Sequence, residues 1–319
     1  MSLHDPHTPA TDAGHWDLAS VVAGLREVRD RWRESQGRSR ESGGREFPSR
    51  DALAQIIEQL SGALFPMRLG PTDLRQESED FYVGYTLDAA LHGLLEQVTL
   101  EFIHQSRHTG PDPVAARAQA VGVVRELAEE LPGIRALLDT DVLAAYQGDP
   151  AARSVDEIVL CYPGVLAVIH YRLAHRLYRL GLPLIARIIS ELAHSATGID
   201  IHPGASIGHS FFIDHGTGVV IGETAVIGNR VRIYQAVTLG AKRFDVGQDG
   251  SLAKGLPRHP ELEDDVVVYA GATILGRITI GRGASIGGNV WLTHSVPPGS
   301  HVSQASLQQA EAGKARLQQ

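Results

Sequence analysis

Titratable side chains gather between Asp200 and Glu223, where the chain reads DIHPGASIGHSFFIDHGTGVVIGE. The imidazoles of His202, His209 and His215 stand there among the carboxylates of Asp200, Asp214 and Glu223. Two further sets lie outside this run, Asp149-Pro150-Ala151 upstream and Arg258-His259-Pro260 downstream. A neutral imidazole is the best-matched base near pH 7 for drawing a proton from a hydroxyl. A carboxylate on its other ring nitrogen fixes the tautomer and stabilises the imidazolium. Taken singly, an Asp or His in such a run reads as a turn or surface residue. As a set they have the types that general-base chemistry requires. The other constellations are weaker. The remaining histidines, His4 and His7 included, lack metal-ligand spacing. Gly216, Gly218 and Gly222 lack the spacing of a dinucleotide loop. The single cysteine, Cys161, reads as a buried core thiol.

Two different periodicities must position these residues. The chain has 319 residues, 43% hydrophobic and 21% charged, which predicts about two globular domains. Its net charge of -8 argues against nucleic acid or an anionic membrane as partner. One cysteine excludes an internal disulfide framework and suits the cytoplasm. Residues 1–47 form a polar extension, with an amphipathic helix expected over Asp17–Arg33 and a linker over Ser35–Gly44. Residues 48–196 carry helical spacing. Ser49 is a candidate N-cap before Leu53, Ile56, Ile57 and Leu60, and that pattern ends at Pro66. Further helices are predicted over Tyr85–Phe102, Val114–Leu131, Ile134–Tyr146, Val165–Leu180 and Leu184–Ala196, with Pro132 and Gly133 splitting the second from the third.

After Ile199 the period becomes six. Ile201, Ile207, Ile213 and Val219 form one frame. Ile221, Ile227, Ile233 and Leu239 form a second, displaced by two residues. Val268, Ile274, Ile280, Ile286 and Leu292 form a third after a long interruption. Small or branched residues stand two places ahead of many of these, such as Ala205, Val231 and Ala284. A six-residue repeat of this kind predicts a parallel β-helix over residues 197–300, each coil burying its apolar face against the next. The expected class is α + β, an all-helical N-terminal domain followed by that β-helix. Residues 301–319 read as a polar tail.

Combined, the motifs resemble those of the serine O-acetyltransferases within the hexapeptide-repeat acyltransferases. They are D-I-H-P at Asp200–Pro203, aliphatic-D-H-x-T-G at Ile213–Gly218, G-E-T-A-V-I at Gly222–Ile227, R-H-P at Arg258–Pro260 and D-P-A at Asp149–Ala151. The resemblance implies a left-handed β-helix, assembly as a homotrimer or hexamer, and acetyl-CoA as co-substrate in the groove between neighbouring β-helices. It implies acetylation of L-serine by direct attack on the thioester, with His215 as base and Asp200 orienting it. Arg258 would then fork onto the serine carboxylate with His259 beside it, and Asp149 and Asp214 would take the ammonium group. Glu223 matches an active-site acid of the family, without an assigned role. Gly240, Ala270 and Gly288 are placed by coil position on the CoA groove. No metal is implied. L-cysteine is expected as a feedback inhibitor in the serine pocket.

The chain departs from the family in three places. The interruption over Ala241–Asp265 is longer than in the common bacterial form and includes Lys242, Arg243, Phe244, Gly247 and Gly250. Such a loop is expected to close over the substrates. After Val296-Pro297-Pro298-Gly299 the usual G-x-P-A segment is replaced by Ser303-Gln304-Ala305-Ser306. The chain ends in Gln319 rather than isoleucine, so no stable complex with the sulfhydrylase is expected by that route. Three alternatives share the repeat: an acetyltransferase for a homoserine, sugar or drug hydroxyl, a zinc-holding γ-type carbonic anhydrase, and a non-catalytic scaffold. Asp200, His215 and Arg258 weigh against the last two, and Arg258, Asp149 and Asp214 favour an amino acid as acceptor.

Overall fold

The computed structural model describes residues 16–37, 47–107, 112–243 and 255–305, with Gly110 and Leu252 between them. They divide into two compact units between Glu46 and Phe47. The first contributes α1 (Leu18–Ser35), whose N-cap Asp17 accepts the Ser20 N–H at 3.1 Å. None of its residues is buried. Most of the expected linker, residues 38–44, lies outside the described residues.

The second unit opens with helices. They are α2 (Arg50–Leu64), α3 (Pro66–Leu69), α4 (Glu79–Ser106), α5 (Pro113–Gly148), α6 (Val155–Cys161), α7 (Pro163–Arg179) and α8 (Pro183–Thr197). Ser49 caps α2 as its side chain predicts, accepting the Ala52 N–H at 3.3 Å. The expected break at Pro132 does not occur, and α5 runs through it. Leu127, Leu131, Ile134 and Leu138 form one buried stripe across that point. Its burial outweighs the roughly 3 kcal/mol propensity cost of an interior proline. Cys161 is exposed at the end of α6 rather than buried, because Ile158 and Val159 take the inward face of that short helix. No single helix among the described residues is long and apolar enough to cross a membrane.

From Asp200 the chain forms short strands. These are β1 (Asp200–Ile201), β2 (Ser206–Ile207), β3 (Phe212–Ile213), β4 (Val220–Ile221), β5 (Val226–Ile227), β6 (Arg232–Ile233), β7 (Thr238–Gly240), β8 (Glu261–Leu262), β9 (Val267–Val268), β10 (Thr273–Leu275), β11 (Thr279–Ile280), β12 (Ser285–Ile286), β13 (Trp291–Leu292) and β14 (His301–Val302). Strands three apart pair in parallel up to β13, and β14 joins β12. The result is three sheets, side I (β1-β4-β7-β10-β13), side II (β2-β5-β8-β11) and side III (β3-β6-β9-β12-β14). Of the frames predicted from sequence, all but Val219 supply the stacked positions; Val219 is a corner residue just before β4. Ile201, Ile221, Leu239, Ile274 and Leu292 align on side I, and Ile213, Ile233, Val268 and Ile286 on side III. All of these are buried.

The rhythm breaks twice. Eight positions rather than six separate Ile213 from Ile221, and the extra residues form a corner with positive φ at His215 (58°), Gly216 (88°) and Gly218 (80°). The second break separates β7 from β8 and ends in Arg258 and His259; Phe244, Gly247 and Gly250 lie outside the described residues.

Helices and coil share one core. The buried Arg172 of α7 pairs with Asp141 of α5 and donates to the carbonyls of Ile207 (2.6 Å) and Gly208 (2.5 Å). Asp141 also accepts the Phe211 N–H at 2.8 Å, which pins α5 and α7 to the first coil. Burial pushes the Asp141 carboxyl up, while Arg172 pulls against that. At the start of α7 a Cβ on Gly164 would stand 2.3 Å from the Ile213 carbonyl oxygen, so the helix meets the coil just ahead of Asp214 and His215.

Candidate active site

The predicted residues fall on the two edges of side I. The III–I corner, between β3 and β4, carries Asp214 and His215. Asp214 is buried, and its N–H donates to the Ile233 carbonyl at 2.9 Å. The His215 ring is 71% exposed, with Nε2 at 3.8 Å from Asp214 Oδ1. Asp149, at the C-cap of α5, completes this edge. The Tyr162 hydroxyl donates to Asp149 Oδ2 and the Ala151 N–H donates to Oδ1 at 2.8 Å. These bonds hold the Asp149 carboxyl below its ordinary range, and the charges of His215 and Arg232 add smaller attractions. The same bond to Asp149 raises the Tyr162 phenol, with a further contribution from Asp214. A carboxylate pair with an imidazole beside it can hold an ammonium group and a hydroxyl next to a base.

The I–II corner carries His202, Glu223, Arg258 and His259. Arg258 Nη2 donates to Glu223 Oε2 at 2.6 Å, and the Tyr178 hydroxyl of α7 donates to Glu223 Oε1 at 3.2 Å. Burial pushes the Glu223 carboxyl up, but its bond to Arg258 and that residue's charge leave it net below the ordinary range. His202 has a structural part. Its Nδ1 accepts the Gly204 N–H at 3.0 Å, its ring packs edge-on against Tyr178, and burial lowers its pKa. His259 is buried, and burial followed by the Arg258 charge lowers its pKa to about 4. Glycine is required at position 222, since a Cβ there would meet the His259 ring at 2.0 Å.

Asp200 stands on side I between the two corners. Its nearest cation is Arg187 at 3.7 Å, and its buried Oδ1 has no hydrogen-bond partner among the described residues. With Glu191 and His194 it forms a group of metal-ligating types, but Arg187 bonds Glu191 at 2.5 Å and supplies that group's positive charge. Among the described residues no hydrogen bond or ion pair joins Asp200 to His215 within the chain. Of the three positions placed on a CoA groove, Ala270 and Gly288 share the III–I corner with His215 and stack one coil apart, the Asn289 N–H donating to the Ala270 carbonyl at 2.9 Å. Gly240 closes β7 at the other edge.

Four side chains of the site escaped the sequence reading: Tyr162, Tyr178, Thr224 and Arg232. Thr224 sits inside the quoted G-E-T-A segment, so a signal was present. The two tyrosines and Arg232 had none, because only the docking of α5 and α7 on the coil brings them near.

No protein-family model matches the chain. A plasmid serine acetyltransferase of Synechococcus elongatus is 58% identical over 264 residues, covering 82% of this chain and 83% of that relative. Among solved structures, serine acetyltransferase 1 of Entamoeba histolytica in complex with L-cysteine superposes with a TM-score of 0.68 at 39% identity, over 78% of this chain and 86% of that one. Soybean serine acetyltransferase complexed with serine superposes with a TM-score of 0.51 at 30% identity, over 79% of this chain and 96% of that one.

Proposed function

This chain belongs to the serine acetyltransferase family, and from that premise we propose that it transfers the acetyl group of acetyl-CoA to the hydroxyl of L-serine through a site shared between copies of the chain. The observation that carries the shared site is the separation of its parts. The base and the ammonium-binding carboxylates lie on one edge of side I, the carboxylate-binding arginine on the other. A left-handed column in a trimer sets the III–I edge of one copy against the I–II edge of the next, and helices α2 to α8 offer the second surface for a hexamer. Asp200 would then reach the His215 ring of a neighbouring copy rather than its own.

His215 acts as general base. It takes the serine proton as the hydroxyl oxygen bonds the acetyl carbon. The bond from that carbon to sulfur breaks, and the proton passes to the departing thiolate. Asp200 steadies the imidazolium. Asp149 and Asp214 hold the serine ammonium group, and Arg258 with His259 holds its carboxylate. CoA supplies the activated thioester. The small residues Ala270 and Gly288 leave room for it further along the edge that carries His215, and Lys242 and Arg243 are exposed cations suited to its phosphates. Exposed Cys161 takes no acyl group.

L-Cysteine, with serine's ammonium and carboxylate groups, competes for the same pocket and inhibits. The division into residues 1–47, 48–196 and a coil from 197 is our proposed organisation, in the cytoplasm, with the coil carried past the expected boundary at 300 by β14 (His301–Val302). The test is thiol release from acetyl-CoA with L-serine, L-homoserine or no acceptor. Release requiring serine, and falling by about 10³ in His215→Ala, is expected. Equal release with all three would defeat the proposal.

A further inference from the structure

Thr224 belongs to the G-E-T-A segment yet has no part in the mechanism above. Its surroundings are unusually specific. Its hydroxyl oxygen accepts the backbone N–H of Arg258 at 2.9 Å and that of His259 at 3.1 Å. The same oxygen lies 2.9 Å from His259 Nδ1, and the Thr224 N–H donates to that Nδ1 at 3.1 Å. A nitrogen that accepts from a backbone N–H carries no proton of its own, so a neutral His259 ring must carry its hydrogen on Nε2. Burial and the neighbouring Arg258 favour that neutral ring. On Arg258, one guanidinium nitrogen is committed to Glu223, which Tyr178 holds from the other side.

We propose that Thr224 is a positioning residue for serine recognition, holding His259 with its proton on Nε2 and Arg258 at a set angle, with Glu223 and Tyr178 completing the brace. Arg258 and His259 close the long interruption between β7 and β8, just ahead of β8. Thr224 holds them from the coil below. Two donors of defined direction then face one carboxylate. Glu223, part of the brace, acts on substrate through Arg258. The inference rests on the reading that Arg258 and His259 bind the substrate carboxylate.

The experiment compares L-serine with L-serinamide, which keeps the ammonium and hydroxyl groups but lacks the carboxylate charge. Wild type, Thr224→Val, Thr224→Ser and Tyr178→Phe are assayed by thiol release, with folding checked by thermal melting. Thr224→Val is expected to lower kcat/KM for serine by about 10- to 100-fold, mainly through KM, the range for bonds to a charged group. Serinamide turnover and the KM for acetyl-CoA are expected to hold within about twofold. Thr224→Ser, which keeps the hydroxyl, restores most of the loss, and Tyr178→Phe gives a smaller loss of the same kind. Equal losses with serine and serinamide, or no loss, would overturn the positioning role. A wild type that does not prefer serine to serinamide would instead overturn the carboxylate reading beneath it.

Discussion

Two imidazoles stand in the two broken corners of the β-column, and they are built in opposite ways. The His215 ring is 71% exposed, sits on a left-handed backbone turn and lies 3.8 Å from Asp214. His259 is 6% exposed, faces Thr224 through Nδ1 and stays neutral down to about pH 4. An open ring can meet a substrate hydroxyl, as the proposed base must. A ring buried beside an arginine cannot change charge near neutrality and serves as a fixed donor. Burial, not residue type, separates the proposed base from the proposed binder.

The sharpest way to break this comparison is to delete each ring in turn. His215→Ala is expected to reduce kcat about 10³-fold with the KM for serine little changed. His259→Ala should act chiefly on KM, by about tenfold. Steady-state kinetics with the roles exchanged would refute the assignment. Mixing the two half-sites sharpens it further. Inactive His215→Ala and Arg258→Ala chains, co-expressed, should recover about a quarter of wild-type activity if each site draws its edges from different copies. A site within one chain recovers none.

Smaller effects come from the buried ring alone. Gly222→Ala should raise the KM for serine about tenfold while leaving that for acetyl-CoA unchanged, because the new Cβ displaces the His259 ring and little else. The last effect is on stability. An unfolded histidine binds its proton near pH 6.5, whereas folded His259 binds it only near pH 4. Between those values the unfolded chain holds the extra proton, so stability falls as pH drops through this window and is unaffected by this group above it. Melting temperatures across pH 4 to 7 should therefore fall less steeply in His259→Asn than in wild type.

The coil was legible because its physics is local. One inward aliphatic per side and a small residue two places before it are requirements that each repeat restates, so Ile201 through Leu292 announced their stacking. The two breaks in that rhythm were equally visible, and both carry site residues. Pro132 shows the opposite case. Its local preference argued for two helices, and the stripe from Leu127 to Leu138 overrode it through contacts with other elements. Cys161 fell to the same cause, since only packing decides which face of a short helix turns inward.

By itself, then, the sequence determined the repeat, the helical half and the residue types at the site, because periodicity and composition act over a few positions. Only the tertiary structure decided that His215 and Arg258 lie on different edges of one side, that Tyr162 grips Asp149, and that Thr224 reaches across the interruption to His259. Those relations join residues far apart in the chain. They exist only once α5 and α7 dock on the coil and the coil closes on itself.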